Sequence, residues 1–202
     1  MTDRPRAEDS DARRALAETR AWVERAVIGL NLCPFARAVE AKGRIRYVHC
    51  ESSDPEALLE RLREEMRRLA TADPATHETT LIVHPHVLQD FLDYNDFLDR
   101  AEDALDALGY AGTLQIASFH PRYQFAGTAA DDPGNATNRS PYPTLHLLRE
   151  EGVARAAEAF PEAEAIYERN IETMERLGSA GWDALRQACR EDARRAIDRE
   201  SD

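Results

Sequence analysis

Residues 45–83 read IRYVHCESSDPEALLERLREEMRRLATADPATHETTLIV, and this stretch decides the fold. Its opening run, 45–50, places Ile45, Tyr47 and His49 on one side, the period of a strand. Asp54-Pro55 then starts a helix. Asp54 can cap the first free amides, and proline suits the first helical position because the N–H it lacks has no partner there. Leu58, Leu59, Leu62, Met66 and Leu69 recur three and four apart and form one apolar stripe. Asp73-Pro74 ends the helix, and the TTLIV run at 79–83 reads as a buried strand.

Toward the C terminus, Asp90 opens a second helix carrying Phe91, Tyr94, Phe97, Leu98, Leu105 and Leu108. Gly109 and Gly112 punctuate its end, and 113–119 reads as a third strand. Strand, helix, strand, helix, strand is the signature of βαβ units. The expected class is α/β, with α+β as the alternative: a small sheet of three strands or slightly more, parallel or ferredoxin-like, with helices at both termini. On the N-terminal side, 1–10 reads as a disordered tail. Leu16, Thr19, Val23, Val27 and Leu30 mark a helix from Asp11 that ends near 29–32, and a short helix over 34–41 starts at Pro34. Beyond the third strand, Pro143 is read as starting a helix through Leu145, Leu147, Leu148 and Val153. Pro161 begins another, with Ala165, Ile166, Ile171, Met174 and Leu177 on its apolar side and Gly178 as its cap. One α/β domain is expected over 11–178. A last helix over 179–202 is expected to be solvated on most faces and loosely attached.

Composition narrows the function. The chain has 202 residues, 43% of them hydrophobic, and a net charge of −12. Such acidity repels phosphate backbones and anionic lipid heads, so neither nucleic acid nor membrane is an expected partner. The three cysteines, Cys33, Cys50 and Cys189, form no CxxC pair, and no apolar signal core opens the chain. A soluble cytoplasmic protein is expected. No glycine-rich phosphate loop or nucleophile elbow is present, and no motif names a cofactor.

The segment 118–146 carries the candidate chemistry. A polar connection of this length is uncommon in a compact domain unless it has a function, and ligands of open α/β sheets bind beyond the carboxyl ends of the strands. His120 stands at such an end as a candidate base, and Arg139 as a bidentate anion clamp. Asp131, Asp132, Asn135, Asn138, Tyr123, Gln124, Ser140 and His146 surround them as substrate contacts. The structural alternative is a loop folded by its own side chains, with Arg139 paired to Asp131 or Asp132. Cys33, if it caps a helix starting at Pro34, is a thiolate nucleophile or redox group; otherwise it is a small packed residue. His84-Pro85-His86 suggests a metal pair, and His86 with His120 and His146 forms the metal-dependent hydrolase or oxygenase alternative. Asp90 to Phe97 needs nothing beyond acidic residues favouring a helix start.

Several blocks are also familiar as a set. They are GLNLCPF at 29–35, DYNDFL at 93–98, QIASFHP at 115–121, YQFAGT at 123–128, Asp131-Asp132 and TNRSPYP at 137–143, followed by His146-Leu147 and Arg149-Glu150. Together they resemble the bacterial family catalogued as domain of unknown function 1415, over roughly residues 15–178. The resemblance implies no reaction. It implies a signature concentrated on Cys33 and the long loop, and it weighs against the His84/His86 pair, because the position of His84 is not reliably histidine in that family. The leading expectation is a small enzyme acting on an anionic metabolite, with Cys33 and His120 catalytic and Arg139 holding the anion. The alternative of another class is a binding or interaction module using Tyr123, Phe125 and Tyr142.

Overall fold

Asp54 accepts a hydrogen bond from the Glu56 amide at 3.1 Å, and helix α3 (Pro55–Thr71) runs from that cap in the computed structural model, which describes residues 7–158 and 165–201. The strands on either side are β1 (Ile45–His49) and β2 (Thr79–Val83), paired in parallel with Ile45 opposite Thr79. Helix α4 (Phe91–Ala107) is capped by Asp90, and β3 (Leu114–Phe119) follows it.

The expected helix after Pro143 is a strand. β4 (Thr144–Arg149) pairs antiparallel with both β2 and β3, giving a four-stranded mixed sheet in the order β1-β2-β4-β3. Leu145 and Leu147 point to one face and Thr144, His146 and Leu148 to the other, an alternation that helix α5 (Glu150–Glu158) hides by following without a break. Helices α3 and α4 cover one face through Leu58, Leu62, Met66, Tyr94, Phe97 and Leu105, packed on Val48, Ile82, Leu114, Leu145 and Leu147.

The other face carries both chain ends. Helix α1 (Ala7–Trp22) starts ahead of Asp11 and passes into a wider π-helical turn, Val23–Ile28, closed by the Gly29 amide bonding to the Glu24 carbonyl at 3.0 Å. A side chain at Gly29 would place its Cβ 2.1 Å from the Arg25 carbonyl oxygen, so this turn requires glycine. Helix α2 is Ala36–Ala41. Helix α6 (Ile166–Ser201) is broken at Gly178 (φ 65°, ψ 175°), a left-handed geometry that glycine adopts without strain. The expected start at Pro161 lies outside the described residues. The segment beyond Gly178 is packed rather than solvated on its inner side: Trp182, Cys189 and Ala193 are buried, and Cys189 meets the Ala21 carbonyl of α1. Among the described residues, no helix is long and apolar enough to cross a membrane.

Tyr94 joins the sheet to its cover. Its hydroxyl donates to the Thr144 carbonyl at 2.8 Å and accepts from the Phe119 amide at 3.2 Å, with the whole residue buried. Tyr94→Phe keeps the ring but strands that amide and carbonyl. The expected loss is about 2 kcal/mol of unfolding free energy in urea titration, because unsatisfied buried groups forfeit their hydration.

Candidate functional site

β1, β2 and β3 point the same way, so their carboxyl ends share one edge, and the long loop leaves from it at His120. Most of the loop's polar side chains fold the loop itself. Asn135 is fully buried; its Oδ1 accepts from the Phe125 amide and the Thr128 hydroxyl, both at 2.9 Å, and its Nδ2 donates to Ala129. Asp132 caps a short 3₁₀ helix, Pro133–Asn138, through the Gly134 amide at 2.7 Å. Asn138 donates to the Ser118 carbonyl, Gln124 to Thr128 and Ser140 to Tyr142. These five side chains, read as substrate contacts, hold backbone. The aromatic residues are packed too: Tyr123 lies against Phe91 and Phe125, Phe125 against Tyr167, and the Tyr142 hydroxyl donates to Glu18.

His120 is also spent. Its ring is buried between Phe91 and Tyr94, Nδ1 accepts from the Arg122 amide at 3.0 Å, and Nε2 donates to the Leu88 carbonyl at 3.2 Å. Burial holds its pKa below the ordinary histidine value. Leu88 has a left-handed φ of 56°, costly for a branched side chain, and the His120 bond pins that turn, assisted by His84 donating to Val87.

Cys33 does not cap a helix. α2 begins at Ala36, and the Cys33 carbonyl accepts the Ala36 amide at 3.2 Å. The cysteine is half-buried on the face of the sheet covered by α1 and α6, with His146, whereas His120 is on the α3/α4 face. The sheet therefore separates the expected nucleophile from the expected base. The metal set is dispersed as well: His86 is exposed beside Asp11 at 3.0 Å, and His120 and His146 lie on opposite faces. Among the described residues, no group of three His, Cys, Asp or Glu side chains is placed to hold a metal ion.

What the loop does build is one wall of a cleft of about 280 Å³, with the segment beyond Gly178 as the other wall. Arg139 enters from the loop. Its Nε donates to the Tyr123 carbonyl at 3.1 Å and one Nη to Ala130 at 2.6 Å, not to Asp131 or Asp132. These bonds fix its direction and leave further N–H groups unspent. Arg186 and Arg190, four residues apart on α6, line the same cleft with Trp22 and Trp182. Burial, and then the neighbouring Arg186, hold the Arg139 pKa below its ordinary value. Asp183 lies 3.6 Å from Arg186, and Asp131 stands at the rim with no hydrogen bond or ion pair among the described residues. Arg186, Arg190 and Trp182 were absent from the sequence-derived candidates. The available signal was the stripe Trp182, Cys189 and Ala193, which marks a packed helix whose adjacent arginines must border the contact.

No curated protein and no solved structure matches the chain. One protein family does, over residues 14–184, under the description "Protein of unknown function (DUF1415)".

Proposed function

Because the chain belongs to the DUF1415 family, whose description carries no reaction, we propose from the site geometry that it binds a small anionic metabolite as substrate in the cleft between the 121–143 loop and α6. The observation that carries this reading is the convergence of Arg139 and Arg186 on one concave cavity in a chain of net charge −12. Asp132 and Asp183 offset part of the like charge of Arg139 and Arg186, an anion placed between the guanidiniums offsets more of it, and each guanidinium offers a carboxylate or phosphate its planar fork. The Cys33–His120 pair is not retained, since the two side chains occupy opposite faces of the sheet.

Inorganic phosphate and succinate, titrated calorimetrically at low ionic strength, are the probes. At least one is expected to bind saturably, and Arg186→Gln is expected to weaken that binding about tenfold, the worth of one charge-assisted hydrogen bond. Absence of saturable binding by both anions, or equal binding by the Arg186→Gln chain with its fold intact by circular dichroism, defeats the reading.

A further inference from the structure

A second cavity, of about 300 Å³, lies on the same face of the sheet beside the first. Val27, Ile45, Phe119 and Leu148 give it apolar walls, Trp22 separates it from the arginine cleft, and Cys33 and His146 border it. Its volume is at the lower end of small-molecule sites. Its polar equipment has a defined state. The Thr79 hydroxyl donates to the Leu147 carbonyl at 2.5 Å, so its only hydrogen is spent and it must accept from His146 Nε2, 2.5 Å away. That fixes the proton of His146 on Nε2. Nδ1 is left as a lone-pair acceptor with no partner among the described residues. Desolvation pushes the pKa of this ring down to about 4, so the imidazole is neutral at pH 7 and has no charge with which to hold an anion.

We propose that this cavity is a binding site for a small neutral molecule with an apolar body and one hydroxyl, a phenol or aliphatic alcohol, whose O–H donates to Nδ1 of His146. The match is one of charge and shape. Apolar walls favour an uncharged body, a bare acceptor selects a donor over an ether or ketone, and a neutral ring gives a carboxylate no advantage. Arg149 and Glu78 also border the cavity, but Arg149 donates to the Leu69 and Ala72 carbonyls and Glu78 lies 3.6 Å from Arg155. Ala117 on β3 pairs directly with His146 on β4 and lines the cavity. Its methyl group leaves the space beside the imidazole that a larger residue would fill.

The test uses 4-ethylphenol and its methyl ether, 4-ethylanisole, titrated calorimetrically into the intact chain. The phenol is expected to bind saturably and about fivefold or more tightly than the ether, the value of one neutral hydrogen bond. His146→Phe is expected to remove that preference, and Ala117→Phe to abolish binding of both. Iodoacetamide modification of Cys33, read by peptide mass, locates the site without a variant: the phenol slows it, and phosphate at the concentration that fills the arginine cleft does not. No saturable phenol binding, equal binding of phenol and ether, or a phenol that binds without slowing Cys33 modification overturns the proposal. None of these outcomes depends on the arginine cleft.

Discussion

Between pH 7 and pH 5 the chain is expected to lose about 3 kcal/mol of folding stability through two histidines. His84 is fully buried, its Nδ1 donating to Val87 and its Nε2 without a partner among the described residues. Burial holds its pKa near 4, against 6.5 for an ordinary histidine. His146 is pushed to about 4 by the same cause. With the folded value depressed, the unfolded chain takes up the proton first. The stability is therefore complete above about pH 6.5, declines as the pH falls, and levels off below about 4. At pH 5 a shift of this size costs about 2 kcal/mol at His84. It costs somewhat less at His146, whose ring borders a cavity that water reaches. His49, His77 and His120 are displaced in the same direction, so the effect has no internal opponent among them. Urea unfolding at the two pH values measures it, with the midpoint expected to fall by about 1 to 2 M. The double variant His84→Phe with His146→Phe should lose less than half as much. A midpoint that does not move between pH 7 and pH 5 contradicts the assignment.

His120→Leu is expected to cost about 2 to 3 kcal/mol of stability, since it leaves two part-buried backbone groups unpaired. Those groups are the Leu88 carbonyl and the Arg122 amide. The carbonyl belongs to a residue already held at φ 56°, so the turn at 84–90 loses its restraint together with its hydrogen bond. A catalytic histidine would give the opposite profile, with function lost and stability little changed. Unfolding free energy and phosphate affinity, measured on the same variant, separate the two roles. Reduced stability with retained affinity is the expected pair, and unchanged stability sinks the positioning role assigned to His120.

The features written in local chemistry were legible in the sequence. The caps Asp54 and Asp90, the stop at Asp73-Pro74 and the bounds of β2 follow from residues adjacent in the chain, and all stand in the structure. β4 was not legible. Pro143 before an apolar run suits a helix start as well as a strand start, and the sequence passes from Arg149 into α5 with no turn residue between. Only pairing with β2 and β3, far away along the chain, selects the strand. The candidate site divides the same way. The loop and Arg139 stood out by length and residue type. Asn135, Asn138 and His120 bond backbone groups in the structure, and the sequence could not show this because a polar side chain near a strand end looks the same whether it serves a ligand or a backbone carbonyl. Arg186 and Arg190 escaped because an arginine-rich terminal helix resembles a solvated one until its packed stripe is traced.

The position of β4 also fixes the order in which the molecule can be assembled. It is the last strand to be synthesised, yet it occupies the interior of the sheet between β2 and β3. While the nascent chain is shorter than about 150 residues, β1, α3 and β2 can pair locally. β2 and β3, however, each present a bare inner edge, and unpaired edges invite pairing with other chains. Both edges are closed by one late, long-range insertion, and the sheet becomes a single cooperative unit only then. Closure of the sheet therefore waits on the synthesis of β4, well after β1, α3 and β2 have been made.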